Sequence, residues 1–307
     1  MSFRELSLQK YYKTYKNNIV KEFYIPVLKN AVLYQRSVGF FSSTALIELT
    51  KGISGLVRNN GKIQFIVSPY LNAEDVEAME KGYEKRKIVE NALLREWKEP
   101  ENYFQEERLN LLAHLIENGI LEIKVAFTPP RRKMGMYHEK VGIVEDKNRN
   151  KIVFTGSLNE TSNAFYNNYE SIVVFASWEE SKEYADEMQK DFDLLWSGQD
   201  KDLEVIDFPE VIRERIKVRK KPEANYDIDA VEKIEEEKEI KRGNPKIPEG
   251  FGLRDYQIEA IETWKMNGYC GIFDMATGTG KTYTGLGAVA KMPQYPFIFQ
   301  VSIASIW

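Results

Sequence analysis

A histidine stands two residues before a lysine in Tyr137-His138-Glu139-Lys140, followed by Thr155-Gly156-Ser157-Leu158-Asn159 and then Asn168-Tyr169-Glu170. On a strand, residues two apart share a face, so His138 and Lys140 are predicted side by side. Such a pair suits phosphoryl transfer: an imidazole nitrogen attacks phosphorus while an ammonium neutralises the non-bridging oxygens as charge shifts. The turn after the next strand brings Ser157 and Asn159 to the same point, where a hydroxyl and an amide can hold the phosphate. Glu170 is placed to accept a hydrogen bond from the other ring nitrogen, fixing the tautomer and supporting the imidazolium. The plain alternative for His138, a hydrogen-bonded sheet histidine, leaves the company of Lys140, Gly156, Ser157, Asn159 and Glu170 unexplained. His114, within Leu111-Leu112-Ala113-His114-Leu115-Ile116, has neither a lysine two residues on nor a glycine-serine loop, and reads as a packing or surface residue.

A second phosphate chemistry lies in Met275-Ala276-Thr277-Gly278-Thr279-Gly280-Lys281-Thr282. Gly278 and Gly280 let backbone N–H groups, Thr279 among them, turn toward a phosphate at a helix N-terminus. Lys281 reaches the phosphate oxygens, and the Thr282 hydroxyl suits Mg²⁺. Arg131, Arg132 and Lys133 follow Pro129-Pro130 on a loop leading toward His138, where substrate phosphates are their natural partners. Tyr137 reads equally as a base-stacking platform or a core aromatic.

The elements that must position these groups are predicted from period and turn chemistry. Strands are expected at 37–43, 62–69, 121–128, 139–145, 151–156 and 170–176. The turn-prone Asp146-Lys147-Asn148-Arg149-Asn150 makes a hairpin of the fourth and fifth. Helical patterns fill 44–58, 73–118 and 179–196, which gives an α/β layered domain over residues 1–198. Residues 199–249 turn to charge, with Arg213, Arg215, Lys217, Arg219, Lys220 and Lys221 and then Glu232, Glu235, Glu236, Glu237 and Glu239, and are read as a linker. A new domain opens near residue 250 with a helix, an apolar strand Gly271–Phe273, the glycine-rich loop and a helix near Tyr283.

The first constellation resembles the phospholipase D-like superfamily, with its H-x-K motif followed by an Asp, G-S-x-N and a Glu, over roughly residues 30–197. The resemblance implies a mixed sheet flanked by helices and a metal-independent mechanism through a phosphohistidine. A second histidine then protonates the leaving oxygen. Members with a single motif build the site across a two-fold dimer, so a homodimer sharing one active site is expected. One departure stands out: Glu145 occupies the place of the family's Asp, with Asp146 one residue further. Its implied place is beside the catalytic group.

The second constellation resembles motif I of superfamily-two helicases. Leu253-Arg254-Asp255-Tyr256-Gln257 resembles their adenine-reading glutamine motif, with Gln257 the reading residue. ATP and Mg²⁺ are the implied ligands of this RecA-like P-loop segment. The resemblance covers residues 250–307, within which no acidic motif follows, so the chain is read as holding only the start of a motor lobe.

The whole sequence sets bounds. It has 307 residues, 43% of them hydrophobic, and a net charge of −4, so any basic footprint for nucleic acid is local. Cys270 is its single cysteine, excluding an internal disulfide framework. No apolar run approaches a membrane span, and charges interrupt the N-terminal apolar stretches as no signal peptide would allow. A cytoplasmic location is expected. A phosphodiester cutter beside a translocating motor points to DNA as the shared polymer and to a restriction, defence or repair nuclease-helicase. Two other readings stand beside it: a non-catalytic DNA-binding and dimerisation platform, kept open by Glu145, and a lipid or small-phosphodiester hydrolase, for which no acyl pocket is marked.

Overall fold

The computed structural model describes residues 2–39, 41–129, 137–157, 170–232, 252–267, 271–276 and 278–290. These fall into two compact units, 1–232 and 233–307. In the first unit the strands are β1 (Tyr11–Lys13), β2 (Ala31–Val38), β3 (Lys62–Val67), β4 (Leu121–Phe127), β5 (Val141–Asp146), β6 (Lys151–Gly156), β7 (Ser171–Ala176) and β8 (Glu204–Asp207). They form one mixed sheet in the order β1-β7-β6-β5-β2-β3-β4-β8. The central β2, β3 and β4 are parallel, and every other neighbouring pair is antiparallel.

Strand periodicity divides the core between two faces. Phe65, Val125, Ile152 and Phe154 point to the side covered by the helices between β2 and β4, where Leu109 and Leu112 of helix Tyr103–Glu117 are buried against them. Ile66, Ala126, Val141, Ile143 and Val153 point to the other side, against Ala185, Phe192 and Leu195 of helix Lys182–Trp196.

Most expected strands are present with trimmed ends, and the 141–156 hairpin is where its turn residues placed it. The strand expected at 37–43 instead spans Ala31–Val38. Ser42 Oγ accepts the Ala45 amide at 3.0 Å and opens helix Ser43–Leu49, so the chain is already helical where a strand was expected. The single helical stretch 73–118 is three helices, Ala73–Glu80, Lys85–Arg95 and Tyr103–Glu117. Gly82, with φ +86, turns the chain between the first two, and Pro100 lies between the last two.

The largest correction concerns the expected linker. Through residue 232 it belongs to the first unit. β8 pairs with β4, and Phe208, Ile212, Ile216 and Ile228 are buried. Residues 219–232 then run along helix Tyr103–Glu117: Asn110 bonds Lys221 N at 2.8 Å and the Glu223 carbonyl at 2.9 Å. Arg108, 1% exposed, reaches Asp229 at 2.7 Å and Glu232 at 2.5 Å. A charged composition proved compatible with packing because charges pair with the helix beneath while Phe208, Ile212, Ile216 and Ile228 turn inward.

In the second unit, helix Asp255–Met266 and helix Lys281–Ala290 are present. Residues Gly271–Phe273 form no strand among the described residues, and Ile272 is 93% exposed. A strand needs a ladder partner, and no described segment supplies one.

Candidate active site

Because β2, β3 and β4 are parallel and β5 runs against β2, the start of β5 lies at the edge where the three parallel strands end. Tyr137–Lys140 form the approach to β5 rather than part of it. Lys140 is buried while His138 is exposed. Lys140 Nζ lies 3.2 Å from both Nδ1 and Nε2 of His138, so the pair meets as the spacing predicted, although on an extended loop. Partial burial, and secondly the Lys140 ammonium, hold the imidazole below its ordinary pKa of 6.5. The ring is therefore neutral at pH 7 and keeps a lone pair for attack.

Gly39, the residue after β2, makes room for the ring. A Cβ there would stand 2.6 Å from His138 Cδ2 and 2.9 Å from His138 Cα. Sequence alone puts Gly39 inside the strand expected at 37–43, where its one signal is a glycine within a strand. Gly156 is required for a similar reason: a Cβ would meet the Ser171 carbonyl oxygen at 1.9 Å. That close approach seats the end of β6 on β7. Ser157 N bonds the Ser171 carbonyl at 3.1 Å, and Ser157 Oγ accepts Ser171 N at 3.1 Å. Ser157 thus stands at the same edge as His138, with its hydroxyl turned to the backbone.

Glu170 directly precedes β7, and backbone and hydroxyl bonds to Thr14, each 3.1 Å, fix it. Among the described residues its carboxylate makes no hydrogen bond to His138, whose ring nitrogens face Lys140. Asn159, Arg131, Arg132 and Lys133 lie outside the described residues. Tyr137 is a packing residue of the cluster beneath helix Lys182–Trp196, and its hydroxyl donates to Glu139 at 2.8 Å. Burial, then the Glu139 charge, push that phenol far above its ordinary range. His114 Nε2 contacts the Lys221 carbonyl at 2.9 Å and so is engaged by the segment that follows β8.

Glu145 needs correction as a site residue. Five residues along β5 from Lys140, it sits roughly 17 Å away at about 3.3 Å per residue, at the opposite edge of the sheet. There it faces Lys151 at 3.9 Å. The acid that the fold uses is Asp146, 1% exposed. Its carboxylate accepts Phe3 N at 2.8 Å, Asn148 N at 2.8 Å and Asn150 N at 2.9 Å. Burial alone would raise its pKa, but the hydrogen bonds from Phe3, Asn150 and Asn148 outweigh it and hold the group below 3.8.

The glycine-rich loop of the second unit is organised by Gln257, 4% exposed, whose Nε2 donates to the carbonyls of Thr279 at 3.3 Å and Gly280 at 3.2 Å. Gly278 and Gly280 adopt φ +83 and +82, and a Cβ on Gly280 would press on Gln257 Nε2 at 2.8 Å. Lys281 and Thr282 are exposed at the start of their helix. The loop residues are thus brought together with Gln257 as its brace.

Comparisons with known proteins accord with this division. Residues 58–196 match the family model described as cardiolipin synthase, PLD-like domain, and residues 250–304 match that described as type III restriction enzyme, res subunit. No curated protein matches the chain. Among solved structures, NucT from Helicobacter pylori is 18% identical with TM-score 0.38, the match covering 64% of this chain and 99% of that one. Nuc, a phospholipase D family member from Salmonella typhimurium, is 15% identical with TM-score 0.35, over 61% of this chain and 90% of that one. The yeast tyrosyl-DNA phosphodiesterase is 12% identical with TM-score 0.29, over 48% of this chain and 26% of that one.

Proposed function

The chain carries a phospholipase D-like domain and, beyond it, a helicase-type segment, and from that premise we propose that its first unit hydrolyses phosphodiester bonds in DNA through His138. The observation that carries this reading is the His138 imidazole held 3.2 Å from the buried Lys140 ammonium. A ring nitrogen of His138 attacks phosphorus; the N–P bond forms and the P–O bond to the leaving nucleoside breaks. Lys140 neutralises the non-bridging oxygens, assisted by Ser157 and Asn159, and Glu170 orients the ring once substrate draws it from Lys140. Water then attacks phosphorus and gives its proton to the group that protonated the leaving oxygen, the N–P bond breaks, and His138 returns with its lone pair.

The leaving oxygen needs a proton. His114 is committed to the Lys221 carbonyl, so we assign the acid to His138 of a second copy in a homodimer that shares one site, its imidazolium form favoured there by the negative charge of the bound phosphate. Sedimentation equilibrium of the full chain is expected to read a dimer, and a strict monomer with full activity would sink that assignment.

DNA is favoured over lipid by the architecture, since a motor and a cutter act together on a polymer. At the second unit the donors fit a nucleotide. Gly278, Thr279, Gly280, Lys281 and Thr282 would hold the phosphates of ATP and its Mg²⁺, with Gln257 bracing the loop. Bound there, ATP supplies the free energy of translocation in a complete motor. The catalytic reading is preferred to a non-catalytic platform because Glu145, the departure from the family pattern, lies five strand residues from Lys140.

The deciding experiment is cleavage of labelled DNA by the full chain in excess EDTA. Cutting is expected to persist in EDTA and to fall by roughly 10⁴-fold or more in His138→Ala. Native-level cutting by that variant, or strict dependence on added metal, would overturn the mechanism.

A further inference from the structure

Edge strand β1 shows two faces of different character. Tyr12 points inward, 1% exposed, with its ring 5.3 Å from that of Phe23. Its neighbour Tyr11 is 46% exposed, and Tyr15, just beyond the strand, is 52% exposed. Lys13 Nζ lies 5.1 Å from the Tyr11 ring centroid and 5.5 Å from that of Tyr15, and Lys16 Nζ lies 5.7 Å from Tyr15. A lysine on an edge strand is explained by protection against edge-to-edge pairing. That account does not extend to two outward tyrosines interleaved with the lysines, which present ring faces beside ammonium groups.

Register connects this strip to the active site. Lys13 is paired with Ser171, Thr14 bonds Glu170, and Ser171 bonds Ser157. Three strand spacings of about 4.8 Å put β1 roughly 14 Å from β5 along the sheet edge where His138 stands. Aromatic rings interleaved with ammonium groups match the two repeating features of a single strand, whose bases stack on rings while its phosphates meet cations. In a duplex the base faces are already stacked and closed to such contact. With a net charge of −4 for the whole chain, attraction for a polyanion must come from local cations such as these.

We propose that Tyr11, Lys13, Tyr15 and Lys16 form a landing surface for single-stranded DNA that leads a phosphodiester toward His138. The proposal rests on the nuclease reading for its purpose, while its test stands apart. Binding of fluorescein-labelled oligo(dT) to the full-length His138→Ala protein is measured by anisotropy across a range of salt. Replacing both tyrosines by alanine is expected to weaken binding about tenfold or more, whereas phenylalanine at both positions retains it. Lys13→Gln with Lys16→Gln is expected to reduce the slope of log affinity against log salt by about 1.4, or 0.7 for each single-strand phosphate released. In the His138-containing protein, the same changes should leave hydrolysis of bis(p-nitrophenyl) phosphate unaltered, because that small diester does not reach β1.

Unchanged oligo(dT) affinity and salt slope would overturn the proposal. So would equal weakening for duplex and single strand, or loss of small-diester hydrolysis in step with DNA cleavage, which would place these residues in support of the site's geometry. If the native protein cleaves neither substrate, the nuclease reading fails, and the anisotropy series still decides the strip.

Discussion

At the scale of single residues, the site turns on which protonation state of His138 is present at neutral pH. Attack requires the lone pair, so kcat/KM falls as pH drops through the His138 pKa. Burial and the Lys140 ammonium hold that pKa below 6.5, so the acid limb of the pH–rate profile is expected to have its midpoint below that value. Lys140→Met removes one of the two causes; the limb should move upward while the rate falls, since the phosphate also loses its cation. An acid limb at or above 6.5 in the native protein would show that another group controls the profile. The His138–Lys140 pair was legible in sequence because two-residue spacing brings side chains together in any extended chain, strand or loop. The role of Gly39 was not legible. It depends on a contact between residues far apart in sequence, which only the pairing of β2 with β5 creates.

At the scale of elements, hairpin β5–β6 links the site to the N-terminus through Asp146. The sequence pointed to this turn by composition but could not say which of two adjacent acids the fold buries. Asp146→Asn keeps the shape while giving up a charged acceptor of several backbone N–H groups, so a loss of about 2 kcal/mol is expected in urea unfolding. The folded pKa lies below the ordinary 3.8, so this contribution is present above that pH and is lost as pH falls through the folded value. The variant should therefore lose less stability on acidification than the native protein; equal acid sensitivity would refute the assignment. β2 was displaced in the sequence reading because its interior carries Gln35, Arg36 and Ser37, all buried, and alternation cannot be read through buried polar residues. β1 and β8 escaped notice because they are short edge strands, which bury too little to leave a pattern.

At the scale of the whole molecule, the boundary of the first unit is residue 232, well past the point where composition turns charged. Phe208, Ile212, Ile216 and Ile228 are each at most 2% exposed. At about 1.5–3 kcal/mol each, they contribute roughly 6–12 kcal/mol, comparable with the whole stability of a typical domain. A protein ending at residue 232 should unfold cooperatively with soluble behaviour, whereas one ending at 198 should aggregate or melt far lower in circular dichroism. Similar melting of the two would return 199–232 to the status of a linker. The sequence concealed this because Ile212 and Ile216 are a single buried pair among charges, too sparse to signal a packed helix. The clamp of Arg108 on Asp229 and Glu232 also has a mechanical meaning. Tension applied to the chain just downstream of residue 232 reaches these ion pairs first. It is shared between the long helix, through Arg108, and the chain between β2 and β3, through Gly52 N on Asp229 and Arg58 on Asp227, so a pull on this segment is spread over two elements at once.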